Sequence, residues 1–104
     1  MEISQNQVPL QVLDVEQRLV QIKGALGVIP WTEKIKLIQE YHYLRIAQRV
    51  KEMKTWAIKD TAEELNIGYG TCAEAMRLCE ALKERPELAD GSKDMALDWM
   101  RKKG

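Results

Sequence analysis

The chain has 104 residues, with 16 basic and 16 acidic side chains, one histidine and two cysteines. That length bounds one domain, or one small domain with extensions, whose thin core would gain from a dimer interface. No apolar run approaches the roughly 18–20 residues of a membrane span. The opening Met1-Glu2-Ile3-Ser4-Gln5 has neither the basic nor the apolar region of a secretory signal, so none is expected.

Residues 1–11 are polar, apart from a few apolar positions, and contain Pro9. They are expected to form a flexible N-terminal arm. Val12, Val15, Leu19, Ile22 and Leu26 then recur at three- and four-residue steps, which predicts an amphipathic helix. Asp14 with Gln17 offers a cap for its start, and Gly24 and Gly27 weaken and end it. This helix and the connector Val28-Ile29-Pro30-Trp31 make a unit over 12–31, expected to help dimerisation.

Thr32 is the expected cap of the longest element, which runs to about Met53. It carries two apolar stripes. Ile35, Ile38, Ile46, Val50 and Met53 form one, and Leu37, Tyr41 and Leu44 a shorter one on the opposite side. A helix apolar on two sides is central to a core, or lies between a core and a partner chain. Homodimerisation through it is therefore expected. His42 lies near the first stripe and reads as a packed histidine.

Lys54-Thr55-Trp56 interrupts the pattern. A short helix is predicted from about Ile58 to Leu65, a turn over Asn66-Ile67-Gly68, and a second helix from Tyr69 to Glu84. Arg85-Pro86 stops it, because the residue before proline is pushed out of helical space. Asp90-Gly91 signals a turn. Ser92 caps a last helix with Met95 and Trp99 on one apolar edge and Arg101-Lys102-Lys103 at its negative end. The fold class is all-α, with about five helices and a helix-turn-helix over 56–84 built on a long central helix. The helical domain spans 32–104.

In the helix-turn-helix, Ala62 marks the crossing point, and Leu65 and Ile67 flank the turn and point inward. Cys72, Ala75, Met76, Cys79 and Leu82 make the inner stripe of the second helix, with Gly70, Ala73, Glu74, Arg77, Ala81 and Glu84 opposite. Such a unit lays its second helix into the DNA major groove. The candidate DNA-binding residues are Tyr69, Gly70, Thr71, Ala73, Glu74 and Arg77, with Lys59 and Lys54 as basic support. Arg77 suits guanine or a phosphate, Tyr69 and Thr71 suit phosphates at the helix N-terminus, and Glu74 suits cytosine N4 or repels phosphate. Gly70 and Ala73 allow close approach.

Charge is uneven along the chain. Residues 33–59 carry seven basic side chains (Lys34, Lys36, Arg45, Arg49, Lys51, Lys54 and Lys59) against three acidic ones; residues 60–90 carry three against eight. The helix before the motif is therefore the expected source of positive charge. Cys72 and Cys79 lie about 10 Å apart along one helix, too far for a disulfide, and read as core residues in a reducing compartment. No metal site is expected, since His42 stands on another element. No catalytic constellation is visible, and neither an enzymatic activity nor a cofactor is expected. Trp31, Trp56 and Trp99 read as core or interface anchors.

The run Asp60 to Leu78 resembles the helix-turn-helix of ParB-like partition proteins and ParB-like DNA-binding proteins of phages and plasmids. In that family a Gly-(Ile/Leu)-Ser turn precedes a helix reading Val-Ser-x-x-Leu-(Arg/Lys)-Leu. Arg77-Leu78 match its ending, and Pro86-Glu87-Leu88 are similar to its usual continuation. The resemblance covers roughly residues 32–103 and is strongest over 56–88. Asn66 stands in place of the turn glycine, a residue that tolerates left-handed geometry. Gly68 replaces the serine, and Cys72-Ala73 replace Val-Ser. Residues 1–31 hold no arginine-rich box of the kind ParB proteins use for CTP, so only the DNA-binding module carries over. The resemblance implies sequence-specific binding of double-stranded DNA, as a homodimer, by a small phage or plasmid regulator or partition-type protein. It implies a cytoplasmic, nucleoid-associated location in a bacterial or phage-infected cell. Two alternatives are a helical adaptor or inhibitor that binds a protein partner, and a small DNA-packaging subunit.

Overall fold

The computed structural model describes residues 12–103, so the expected arm over 1–11 lies outside the described residues. Five α-helices follow one another: α1 (Val12–Ala25), α2 (Trp31–Lys51), α3 (Ile58–Leu65), α4 (Tyr69–Glu84) and α5 (Lys93–Lys103). A 3₁₀ turn, Pro86–Asp90, links α4 to α5. No strand occurs among the described residues.

α2 is the central element, with α1, α3 and α4 packed around it. The core joins Leu19 and Ile22 of α1, Ile35, Ile38 and Tyr41 of α2, Ala62 and Leu65 of α3, and Cys72, Ala75, Leu78 and Cys79 of α4. Burying a residue such as Ile22 or Leu78, both 0% exposed, is worth about 1.5–3 kcal/mol each. Leu37 and Leu44 pack against this cluster from the side. The longer stripe expected along α2 fails at its C-terminal end: Val50 and Met53 are 65% and 94% exposed. The last buried α2 residues are Tyr41 and His42, and beyond them only the flank at Leu44 still packs on the core.

Helix ends account for three further differences. Pro30, not Thr32, occupies the cap position of α2; its carbonyl accepts from Lys34 N–H at 3.0 Å, and Thr32 already lies inside the first turn. The proline presets an extended backbone just before the helix. Asp14 likewise lies within the first turn of α1 rather than before it, where a carboxylate favours the positive helix end. α2 stops at Lys51 rather than Met53. Lys54 N–H donates to the Arg49 carbonyl at 2.8 Å and Met53 N–H to that of Val50 at 3.0 Å. That is a Schellman closure, with Met53 in the left-handed region at φ 59°. The α3 end repeats it with Asn66 at φ 58°: Ile67 N–H donates to Ala62 at 2.9 Å and Asn66 N–H to Glu63 at 3.2 Å. Asparagine accepts this conformation readily and methionine does not.

α1 and α3 are tied to α2 through Arg45. Its Nε donates to Glu64 at 2.9 Å, and its Nη1 donates to Glu16 at 3.2 Å and to Gln48 at 2.8 Å. Tyr41 donates to the same Glu64 oxygen at 2.6 Å. Burial, together with that bond, pushes the Tyr41 phenol up to about 12. Partial burial pushes the Glu64 carboxyl upward, but the bonds from Tyr41 and Arg45 outweigh it and leave it below the ordinary range. A parallel link joins Arg18 of α1 to Glu40 through two 2.7 Å bonds.

One buried polar chain lies behind α3. Trp56 Nε1–H donates to the Thr61 hydroxyl at 2.8 Å, and that hydroxyl meets His42 Nδ1 at 2.7 Å. Tryptophan only donates, so the Thr61 hydroxyl accepts from Trp56 and still has its proton and a lone pair to offer Nδ1. Burial lowers the His42 pKa and holds the ring neutral.

Two outcomes are expected. Met53→Gly relieves the left-handed strain and raises stability by about 0.5–1 kcal/mol, read as a higher urea midpoint. Stability also falls as pH drops below about 6.5, the unfolded histidine value, since the unfolded chain then takes up a proton that folded His42 refuses. It falls again in the carboxylate range as Glu64 is protonated. Urea midpoints between pH 8 and 5 measure the first step, and His42→Asn should flatten it.

Candidate nucleic-acid interface

α3, the three-residue turn Asn66–Gly68 and α4 form a helix-turn-helix, and the expected bounds of both helices agree with the structure. Ala62 is buried at the crossing, and Leu65 and Ile67 face the core on either side of the turn. The α3 start is held by Asp60, whose carboxylate accepts from Ala57 N–H at 2.8 Å. Gly68 brings no side-chain cap to α4. The first N–H groups of α4 therefore carry the positive end of the helix without a local anion.

α5 changes the outer side of α4. Lys93, the first residue of α5, pairs with Glu74 at 3.0 Å, and Lys103, the last, pairs with Glu84. Both pairs are separated by the same number of residues along the two helices, so α5 runs beside α4 in the same direction. Ala96 is fully buried in this seam, and Leu97 and Met100 pack on the core. The inward edge of α5 is thus Ala96, Leu97 and Met100 rather than Met95 and Trp99; Met95 is exposed. Ser92 does cap the helix, accepting from Met95 N–H at 3.2 Å. The segment between is pinned by Trp31, whose Nε1–H donates to the Gly91 carbonyl at 3.1 Å. Trp99 lies at the far end, between Arg85 and Lys103, each within 6 Å of its ring centre.

Ala81 is consequently buried at 5% exposure, although spacing placed it on the outer face. Leu78 is fully buried, and Met76 is only half-buried at the edge of the inner stripe. The face left open runs along Tyr69, Gly70, Ala73, Arg77 and Glu80. Tyr69, Gly70, Thr71 and Arg77 are exposed, and Ala73 and Glu74 are half-exposed. Six of the candidate residues therefore share the first nine positions of α4. Lys54 and Lys59 do not: Lys54 precedes α3 and stands 3.9 Å from Glu52, and Lys59 is exposed on the first turn of α3.

The local charge differs from that along the chain. A cleft of about 60 Å³ brings Lys34 and Lys93 to Thr71 and Glu74 over a floor of Trp31 and Leu78. The adjoining groove, about 400 Å³, places Arg101 against Glu74 and Arg77. Lys34, Arg77, Lys93 and Arg101 thus line the two hollows that share Glu74, and Lys93 is paired with it. Arg45 and Arg49, expected as part of a basic helix face, are engaged elsewhere: Arg45 in the inter-helix network, Arg49 with Glu52 at 3.0 Å and over the Trp56 ring. Lys93 and Arg101 escaped the sequence reading because nothing local couples α5 to α4. The signal available was the i, i+4 spacing of Ala96 and Met100 beside Leu97.

Cys72 and Cys79 are both buried free thiols, and burial raises their pKa values. Among the described residues no three His, Cys, Asp or Glu side chains gather as a metal cluster, and no helix is long and apolar enough to cross a membrane.

The fold is therefore an all-α helix-turn-helix domain flanked by a fifth helix. Comparison with family models, curated proteins and solved structures yields no match.

The α5 seam can be tested directly. Ala81→Glu places a carboxylate in a closed seam and should cost more than about 2 kcal/mol. Ala73→Glu, on the open face, should change stability by less than about 0.5 kcal/mol. Urea denaturation of the two variants distinguishes a docked α5 from a detached one.

Proposed function

We propose that this protein binds double-stranded DNA sequence-specifically through α3 and α4, in the manner of ParB-like helix-turn-helix proteins. It would act as a small regulator or partition-type protein in a bacterial or phage-infected cell. The observation that carries the reading is the N-terminal half of α4. Tyr69, Gly70 and Thr71 lie exposed there and Ala73 half-exposed, with Arg77 just beyond, beside three further cations, Lys34, Lys93 and Arg101, and an uncapped helix end. Small residues at 70 and 73 permit close approach to base edges, Arg77 is suited to guanine, and the flanking cations are suited to phosphates. The turn with left-handed Asn66 and the Arg77-Leu78 ending followed by Pro86-Glu87-Leu88 support the ParB-like form of the reading.

A two-part site requires a dimer. Tyr43, Ala47 and Val50 form an exposed apolar row on α2, with Met53 beyond it. We assign the dimer contact to this row. The same row favours a second reading, in which the protein is an adaptor that docks on another protein.

The deciding experiment is selection of bound sequences from a random duplex library at physiological salt, with light scattering on the free protein. An enriched motif and a dimer are expected. A ring larger than a dimer favours a DNA-packaging subunit, and absence of enrichment favours the adaptor. Arg77→Ala should weaken binding to the enriched duplex by about 1–3 kcal/mol and relax the preference at one position. Unchanged affinity in a folded Arg77→Ala protein refutes the assigned reading face.

A further inference from the structure

We infer that Glu74 is a selectivity device: it holds Lys93 in an ion pair and releases that ammonium to a phosphate only when a base amino group takes its place. The inference rests on the DNA-binding reading above. Among the described residues, Glu74 is the only acidic side chain lining either the Lys34–Thr71 cleft or the Arg77–Arg101 groove. Its Oε1 lies 3.0 Å from Lys93 Nζ, and the two side chains are 27% and 41% exposed. By contrast, the Arg101–Asp98 pair on the same helix is 74% and 46% exposed. The Glu74–Lys93 pair is the better shielded of the two, so solvent and salt weaken it less.

The chemistry is an exchange of partners. A carboxylate cannot bond a phosphate oxygen, and beside a duplex backbone it repels one. In the major groove it accepts hydrogen bonds from amino groups, cytosine N4–H above all. On a duplex that presents no amino group at this position, Glu74 keeps Lys93 and cancels its charge. On one that does, the carboxylate turns to the base, and Lys93, fixed at the start of α5, is freed beside the strand. Base reading and one phosphate contact are thereby coupled. Thr71, Lys34, Arg77 and Arg101 form the walls and keep their positions, so the trade involves two side chains only.

The test uses the full chain and two duplexes of equal length, one of random sequence and one enriched by selection. Binding is measured across a salt series for wild type, Glu74→Gln, Lys93→Met and the double variant, with circular dichroism as a check on folding. Glu74→Gln should bind the random duplex about two- to fivefold more tightly. Its log–log salt slope there should steepen by about one unit, the mark of one added phosphate contact. Its preference for the enriched duplex should shrink. Lys93→Met should weaken binding of the enriched duplex, with a salt slope shallower by about one unit. An unchanged random-duplex slope in Glu74→Gln overturns the inference. So does a steepened salt slope that Glu74→Gln still produces in the Lys93→Met background, because the added phosphate contact would then not be that of Lys93. The random-duplex arm reads the exchange alone. Failure to enrich any sequence is a separate result, and it sinks the DNA-binding reading instead.

Discussion

The arrangement of the first three helices depends on the Arg45 guanidinium. It extends from the middle of α2 and reaches Glu16 on α1 and Glu64 on α3, with the Tyr41 and Trp56 rings each 5.8 Å from its centre. Its side chain is only 15% exposed, so the charge is largely removed from water. Such a group gives little net stability, because desolvation consumes most of the attraction. It is demanding in another way. Its buried donors need acceptors, and Glu64 serves Nε while Glu16 and Gln48 serve Nη1. Apolar surfaces allow helices to slide or rotate at small cost, whereas a fork of fixed donors admits one register. The orientation of α3 on α2 follows from that register, and α4 follows from α3 through a three-residue turn.

That commitment changes the meaning of the charge along the chain. Counted by segment, α2 is basic and the helix-turn-helix acidic. In space, Arg45 and Arg49 belong to internal contacts, and the cations beside α4 come from the start of α2 and from α5. The acidic residues divide as well. Glu64 serves the Arg45 network, Asp60 the α3 start and Glu84 the Lys103 pair. Only Glu74 stays among the cations. Electrostatic potential at a site depends on distances of a few ångströms, and a sum over neighbours in sequence carries no such information.

The same distinction decides what the amino-acid sequence could reveal. Features set by short-range stereochemistry were legible: Asn66 at φ 58°, the stop at Arg85-Pro86, the Ser92 cap and the buried Ala62 all act within a few residues of themselves. The helix-turn-helix was legible because its turn is so short that local rules determine its geometry. What stayed hidden needed a partner distant in the chain. Trp31 reads as a connector until Gly91 is found beside it, and Ala81 reads as outer until α5 covers it. Val50 and Met53 illustrate the reverse. Their spacing is that of a core stripe, but a stripe is buried only as far as there is something to bury it, and α2 outruns its neighbours.

The α5 seam also restricts how α4 can meet a duplex. Two helices packed side by side have axes about 8–10 Å apart, and each is about 10–12 Å across with side chains. Together they span roughly 20 Å, while the major groove is about 12 Å wide. α4 and α5 therefore cannot both lie lengthwise in one groove. On the proposed DNA-binding reading, the duplex would receive α4 by its N-terminal end. That end carries Tyr69, Gly70, Thr71 and Ala73, with Arg77 two turns further in as the last side chain within reach. Lys93 opens α5 at the same end, and Arg101 lies about two turns further along the flank. An end-on approach uses the positive helix terminus, small residues near the tip and one long cation behind them. It leaves the acidic C-terminal half of α4, Glu80 and Glu84, outside the groove, and there their charge offers the least opposition to binding.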